Sequence, residues 1–176
     1  MLLLIASLVS FANAEPFILI GSENRISEEG FVPRAKTIVD VGIVDHLSVT
    51  TTLVVSPGYA EAYIGPTWSP TQSFSLGVAG GIETADAPWR AMVYSSLHVK
   101  NLRLLGIAEY GGTGLWYKAV ATYDIGPVSV GALVQRFDGV GPRVGGSYKG
   151  FELWAAPLYD FETRVPSVLV GLNWTP

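Results

Sequence analysis

Pro166-Ser167-Val168-Leu169-Val170-Gly171-Leu172-Asn173-Trp174 is the stretch that decides the fold. In an extended chain Val168, Val170, Leu172 and Trp174 share one face, while Ser167, Leu169, Gly171 and Asn173 share the other. This is the period-two alternation of a strand with two unlike faces, closed by a large aromatic. A strand in this position exposes a row of unpaired backbone groups unless a neighbour covers it. The economical solution is a sheet closed on itself, which has no edge.

Working back toward the N-terminus, the same pattern recurs. Strand-like segments of about ten residues fall at 35–44, 47–55, 59–68, 72–83, 89–99, 102–110, 115–125, 128–137, 140–148, 151–159 and 165–174, with no helical period between them. A short apolar run at 17–21 supplies a first strand, and 22–33, with Glu23, Arg25, Glu28, Glu29 and Gly30, reads as a loop. The count is then about twelve, an even number as single-chain bacterial barrels require; without the 17–21 segment it is odd, which points to a merged pair and about ten strands. Connections alternate between two kinds. Asp45-His46, Ser69-Pro70-Thr71, Lys100-Asn101, Gly126-Pro127 and Lys149-Gly150 are tight, whereas 22–33, 56–58, 84–88, 111–114, 138–139 and 160–164 are on the whole looser.

Composition narrows the environment. Of 176 residues, 49% are hydrophobic and only 15% are charged, well below the roughly 25% of an average soluble domain. Yet no apolar run in the expected mature region approaches the roughly 20 residues of a spanning helix. Strands that cross a membrane need apolar residues only at every second position, which reconciles the two facts. Net charge is −4 without a basic cluster, so nucleic acid is not an expected partner. The chain has no cysteine and two histidines, which leaves no recognisable metal-ligand set; neither metal nor cofactor is expected.

Alternating strands, turn asymmetry and the aromatic final strand together resemble the small, porin-like outer-membrane β-barrel proteins of Gram-negative bacteria. The resemblance implies an all-β fold, a closed antiparallel up-and-down transmembrane barrel. It also implies residence in the cell outer membrane, with membrane lipids and the barrel-assembly machinery as partners. Residues 1–14, an apolar core ending in Ala12-Asn13-Ala14, read as a signal peptide that is removed, although no Lys or Arg precedes the core. Residues 15–176 then form a single barrel domain.

The two strand faces differ in chemistry. One collects Phe74, Leu76, Val78 and Ile82, Trp89, Ala91, Val93 and Leu97, Leu115, Tyr117 and Tyr123, and Phe151, Leu153 and Tyr159. The other carries Glu61, Glu83, Arg90, Arg103, Glu109, Lys118, Asp124, Arg143 and Glu152, with Lys36, Asp40 and His98, among glycines and serines. In a membrane barrel the charged face lines the lumen; in a secreted lipocalin-like barrel binding an apolar ligand it faces water. Small residues between balanced charges favour a crowded lumen. Arg90, Arg103, Lys118 and Arg143 on one wall, opposite Glu61, Glu83, Glu109 and Asp124, would set up a transverse field able to orient a small polar solute. Interlocked ion pairs closing the barrel are the competing arrangement.

The expected function is a narrow pore for small polar solutes or a structural membrane protein, and not an enzyme. One motif supports a different chemistry. His46-Leu47-Ser48 resembles the His and Ser of outer-membrane lipid A deacylases, which gives a lipid hydrolase as the alternative; here, however, the motif lies early and at a tight turn. The Gly111-Gly112-Thr113-Gly114 run precedes no helix and reads as a loop.

Overall fold

The structure is a computed structural model that describes residues 16–176. The signal-peptide reading of residues 1–14 lies outside the described residues. Thirteen strand segments follow one another: β1 (Phe17–Ser27), β2 (Gly30–Val32), β3 (Ala35–Val44), β4 (Leu47–Ser56), β5 (Tyr59–Thr71), β6 (Phe74–Glu83), β7 (Trp89–Val99), β8 (Leu102–Gly111), β9 (Gly114–Ile125), β10 (Val128–Gln135), β11 (Gly139–Tyr148), β12 (Phe151–Tyr159) and β13 (Pro166–Trp174). Consecutive segments other than β2 and β3 pair antiparallel, and β13 returns to β1 in register from Ile20↔Trp174 to Ser27↔Ser167. Closure therefore uses the alternating final strand.

β2 and β3 lie end to end against the same strand, β1, so thirteen segments make a barrel of twelve positions. Pro33 interrupts them because it has no amide hydrogen to give to the ladder. Residues 22–33 are thus mostly strand, where the sequence suggested a loop. Their charges looked loop-like because the partners are remote in sequence: Glu23 meets Lys118 and Arg25 meets Asp138.

The turns depart from expectation in smaller ways. β5 runs through Ser69 and Pro70 to Thr71 with a register shift after Trp68, which moves the turn to residues 72–73. Phe137 leaves the ladder at φ 72°. Lys149 and Gly150 have φ of 47° and 81°, the paired positive values of a type I′ hairpin turn that matches strand twist.

Polarity runs from apolar outside to ionic inside. Val78, Val93 and Leu153 are 53%, 44% and 59% exposed, while Glu83, Arg90 and Lys118 are 5%, 4% and 8% exposed. A soluble barrel would present contiguous apolar surface far beyond the few hundred Å² tolerated in water; the lipocalin-like alternative therefore fails, and the outer wall fits hydrocarbon. Aromatic pairs mark both rims: Trp89 against Tyr110 on the looser-loop side, and Phe151 stacked on Trp174 on the tight-turn side. Such positions suit the two lipid–water interfaces.

The interior is not purely polar. Leu133, Trp154, Ala156, Leu158 and Leu169 form one enclosed cluster, and Tyr63, Ala79 and Met92 another. Lumen glycines make room for these rings. A Cβ on Gly171 would lie 2.2 Å from Cε2 of Trp154, and one on Gly77 would lie 2.2 Å from Cζ of Tyr94.

Candidate functional site: the charged lumen

At the looser-loop end, β5 to β8 converge on one guanidinium. Arg90 reaches Glu83 at 2.8 Å, Glu109 at 2.9 Å and Glu61 at 3.6 Å, and its Nε donates to the Tyr63 hydroxyl at 2.6 Å. The Tyr59 hydroxyl donates to Glu61 at 2.7 Å and lies 2.9 Å from Glu83. Thr113, on the turn between β8 and β9, donates its backbone N–H to Glu83 at 2.9 Å and its hydroxyl at 2.8 Å. Buried carboxylates are tolerable only with this degree of pairing and hydrogen bonding. The Gly111–Gly114 run is therefore more than a flexible connection, because it delivers Thr113 over the mouth.

A second group crosses the barrel. Lys118 on β9 pairs with Glu23 on β1, and Arg34 approaches Glu23 at 3.7 Å. Nearby, Arg25 reaches Asp138 at 3.1 Å, and the Gln135 amide donates to the same carboxylate at 2.6 Å. Asp138 lies in the turn between β10 and β11; burial pushes its carboxyl up from the usual range, opposed by Gln135 and the two arginines.

At the tight-turn end, Arg143 binds Glu152 at 2.9 Å, and Arg103 binds Asp124 at 2.7 Å and Glu152 at 3.7 Å. The Asn173 amide donates to Glu152 at 2.9 Å. Lys118 and Arg143 both lie over the Trp154 ring, 5.5 and 4.7 Å from its centroid.

These contacts correct the transverse-field arrangement. Arg90 sits among Glu61, Glu83 and Glu109 rather than opposite them, and Arg103 pairs with Asp124, so the charges interlock as local ion pairs, with carboxylates in excess around Arg90. Glu61, Glu83, Arg90 and Glu109 come together in one network. Arg103, Asp124, Arg143 and Glu152 come together in another, with Lys118 between them. The sequence reading missed Thr113, Asp138, Glu23 and Trp154 as members. Period two from Glu152 places Trp154 on the same face, which was the available signal for that residue.

His46 and Ser48 are not brought into a dyad. His46 occupies the turn between β3 and β4 at φ 65°, so strand alternation does not govern its direction, and its Nδ1 lies 3.0 Å from the Ser69 carbonyl. The Ser48 hydroxyl donates instead to Asp40 at 2.7 Å.

Neither a family model nor a curated protein matches the chain. Solved structures do resemble it. The KdgM porin aligns with a TM-score of 0.61 over 89% of this chain and 98% of its own, at 8% identity. A KdgM porin in complex with disordered oligogalacturonate aligns with a TM-score of 0.60 at 8% identity, over the same shares of both chains. The outer membrane protein Omp33 of Acinetobacter baumannii gives 0.55 over 90% of this chain and 97% of its own, at 9% identity. At such identities the likeness establishes the closed barrel fold.

Proposed function

We propose that this chain is an outer-membrane barrel of a Gram-negative bacterium acting as a narrow, non-enzymatic channel for small polar solutes. One observation carries the reading: an ionic, hydrogen-bonded interior enclosed by an apolar wall. Such an interior offers donors and acceptors to a solute leaving water, whereas an apolar filling would serve a purely structural barrel better. The barrels it resembles include a porin and an outer membrane protein, which supports the location and the role. Membrane lipids surround the wall, and the barrel-assembly machinery inserts it.

The solute differs from the oligogalacturonate named with the KdgM porin. Three carboxylates surround a single guanidinium at the looser-loop mouth, a field that opposes a polyanion. Small neutral or cationic solutes fit better. A second reading, a closed structural barrel, is favoured by the interlocked ion pairs and by the apolar cluster around Trp154 and Leu133.

Planar-bilayer recording of the refolded protein separates the two. The channel reading expects small discrete conductance steps that grow when Trp154 is replaced by alanine. Electrical silence from protein that has inserted, with heat-modifiable gel mobility intact, overturns the channel and leaves the structural barrel. Release of fatty acid from lipid A by the wild type would overturn the non-enzymatic reading.

A further inference from the structure

The tight-turn end of the lumen opens as a vestibule of about 250 Å³ whose lining includes Asp40, Thr50, Thr67, Ser96, Phe17 and Tyr94. At ~30 Å³ per water it holds roughly eight waters, or a solute of four to eight non-hydrogen atoms. Its carboxylate is unlike the others. Among the described residues, every other acid facing the lumen has a cation within 4.0 Å: Glu23 has Lys118, Glu61, Glu83 and Glu109 share Arg90, Asp124 has Arg103, Asp138 has Arg25 and Glu152 has Arg143. Asp40 has none.

Its Oδ2 accepts the Ser48 and Thr50 hydroxyls, and Oδ1 has no partner among the described hydrogen bonds. Lys36 lies on the same strand face four residues away, its Cα roughly 13 Å distant at 3.3 Å per residue, and it makes no ion pair with Asp40 within 4.0 Å. From Thr50 the hydroxyls continue to Thr67 and then Tyr94. A half-enclosed anion without a counter-ion costs free energy that an incoming cation recovers. The rings of Phe17 and Tyr94 add faces that attract organic cations.

We infer that this vestibule is a subsite for a small hydroxylated primary ammonium ion, with Asp40 as counter-ion and the Thr50–Thr67–Tyr94 row receiving its hydroxyl. The inference rests on the channel reading for its physiological role, but binding is measurable without conductance.

The test titrates ethanolammonium chloride into the refolded full chain in detergent, followed by ligand-observed NMR, with ethylene glycol as the uncharged comparison. The expected result is binding at least tenfold tighter for the ammonium in the wild type, the least a charge-assisted hydrogen bond supplies. Asp40→Asn should lose that advantage, while Asp86→Asn, in the loop between β6 and β7, should keep it. Equal affinity for ammonium and glycol in the wild type overturns the subsite, and this comparison needs no variant to fold. Undiminished ammonium binding by Asp40→Asn that retains heat-modifiable mobility also overturns it. Asp40-dependent binding by protein that inserts but never conducts supports the subsite while refuting the channel. In conducting protein, ethanolammonium added on the tight-turn side should reduce the wild-type current and spare that of Asp40→Asn.

Discussion

Replacing Arg90 by methionine keeps most of the side-chain volume and removes the guanidinium that three carboxylates share. Glu83 and Glu109 lose contacts of 2.8 and 2.9 Å, Glu61 loses one of 3.6 Å, and the Tyr63 hydroxyl loses its 2.6 Å donor. Removing one partner from a buried ion pair costs about 3–5 kcal/mol, because the remaining charge stays desolvated and unpaired. The Glu83 side chain is fully enclosed, so water cannot relieve it without opening the mouth. With a urea slope of about 2 kcal/mol/M, the unfolding midpoint should fall by roughly 2 M. The assay is reversible urea unfolding of protein refolded into vesicles, followed by tryptophan fluorescence. Adding Glu83→Gln to Arg90→Met should restore about 1 kcal/mol or more, since the two residues are in contact and their effects are coupled. If Arg90→Met stays within about 0.5 kcal/mol of wild type, the level of an ordinary surface change, the guanidinium does not hold these acids and the lumen network is misread.

Gly171→Ala puts a Cβ 2.2 Å from the Trp154 ring and should cost about 1–3 kcal/mol by overpacking; combining it with Trp154→Ala should remove that increment in the same urea assay. Val93→Lys places a charge on the outer wall and should cost about 2–4 kcal/mol in vesicles if its depth is near the bilayer midplane, a deficit read from the unfolding midpoint. In the loop at 160–165, the Thr163 hydroxyl at 2.7 Å and the Glu162 N–H at 2.9 Å hold the Asp160 carboxyl below its ordinary range. An acid held low contributes loop stability that is present above its ordinary pKa and lost as pH falls through the lowered value. Thr163→Ala should move the Asp160 titration, followed by NMR, back toward that ordinary value and speed loop proteolysis at neutral pH.

Strand period and the alternation of turns were legible because each depends on neighbours close in sequence. Val168 to Trp174 announced an apolar wall without reference to any other strand, and Lys149-Gly150 announced its own turn. Which charges meet was not legible. Glu23 and Lys118 are 95 residues apart and face each other only after closure, so the segment around Glu23 looked like a solvated loop. The same limit hid Thr113, whose glycine-flanked position described a turn but not the carboxylate beneath it. Balanced lumen charge was readable as composition, but its division into local networks depends on barrel register. Trp154 and Leu133 were readable as lumen-facing by alternation, but the assumption that a lumen is polar drew attention away from them.

In a bilayer, hydrocarbon should touch Val78, Val93 and Leu153 on the outer wall, while water reaches the residues that face the lumen. The chain has no cysteine, so single cysteines at these positions and at Thr50 and Ser96 in the vestibule can carry a fluorescent label unambiguously. In vesicles, brominated lipid should quench the label at positions 78, 93 and 153 and leave 50 and 96 unaffected, while iodide in water should do the reverse. Iodide quenching at 78, 93 and 153 together with bromolipid quenching at 50 and 96 would contradict the account.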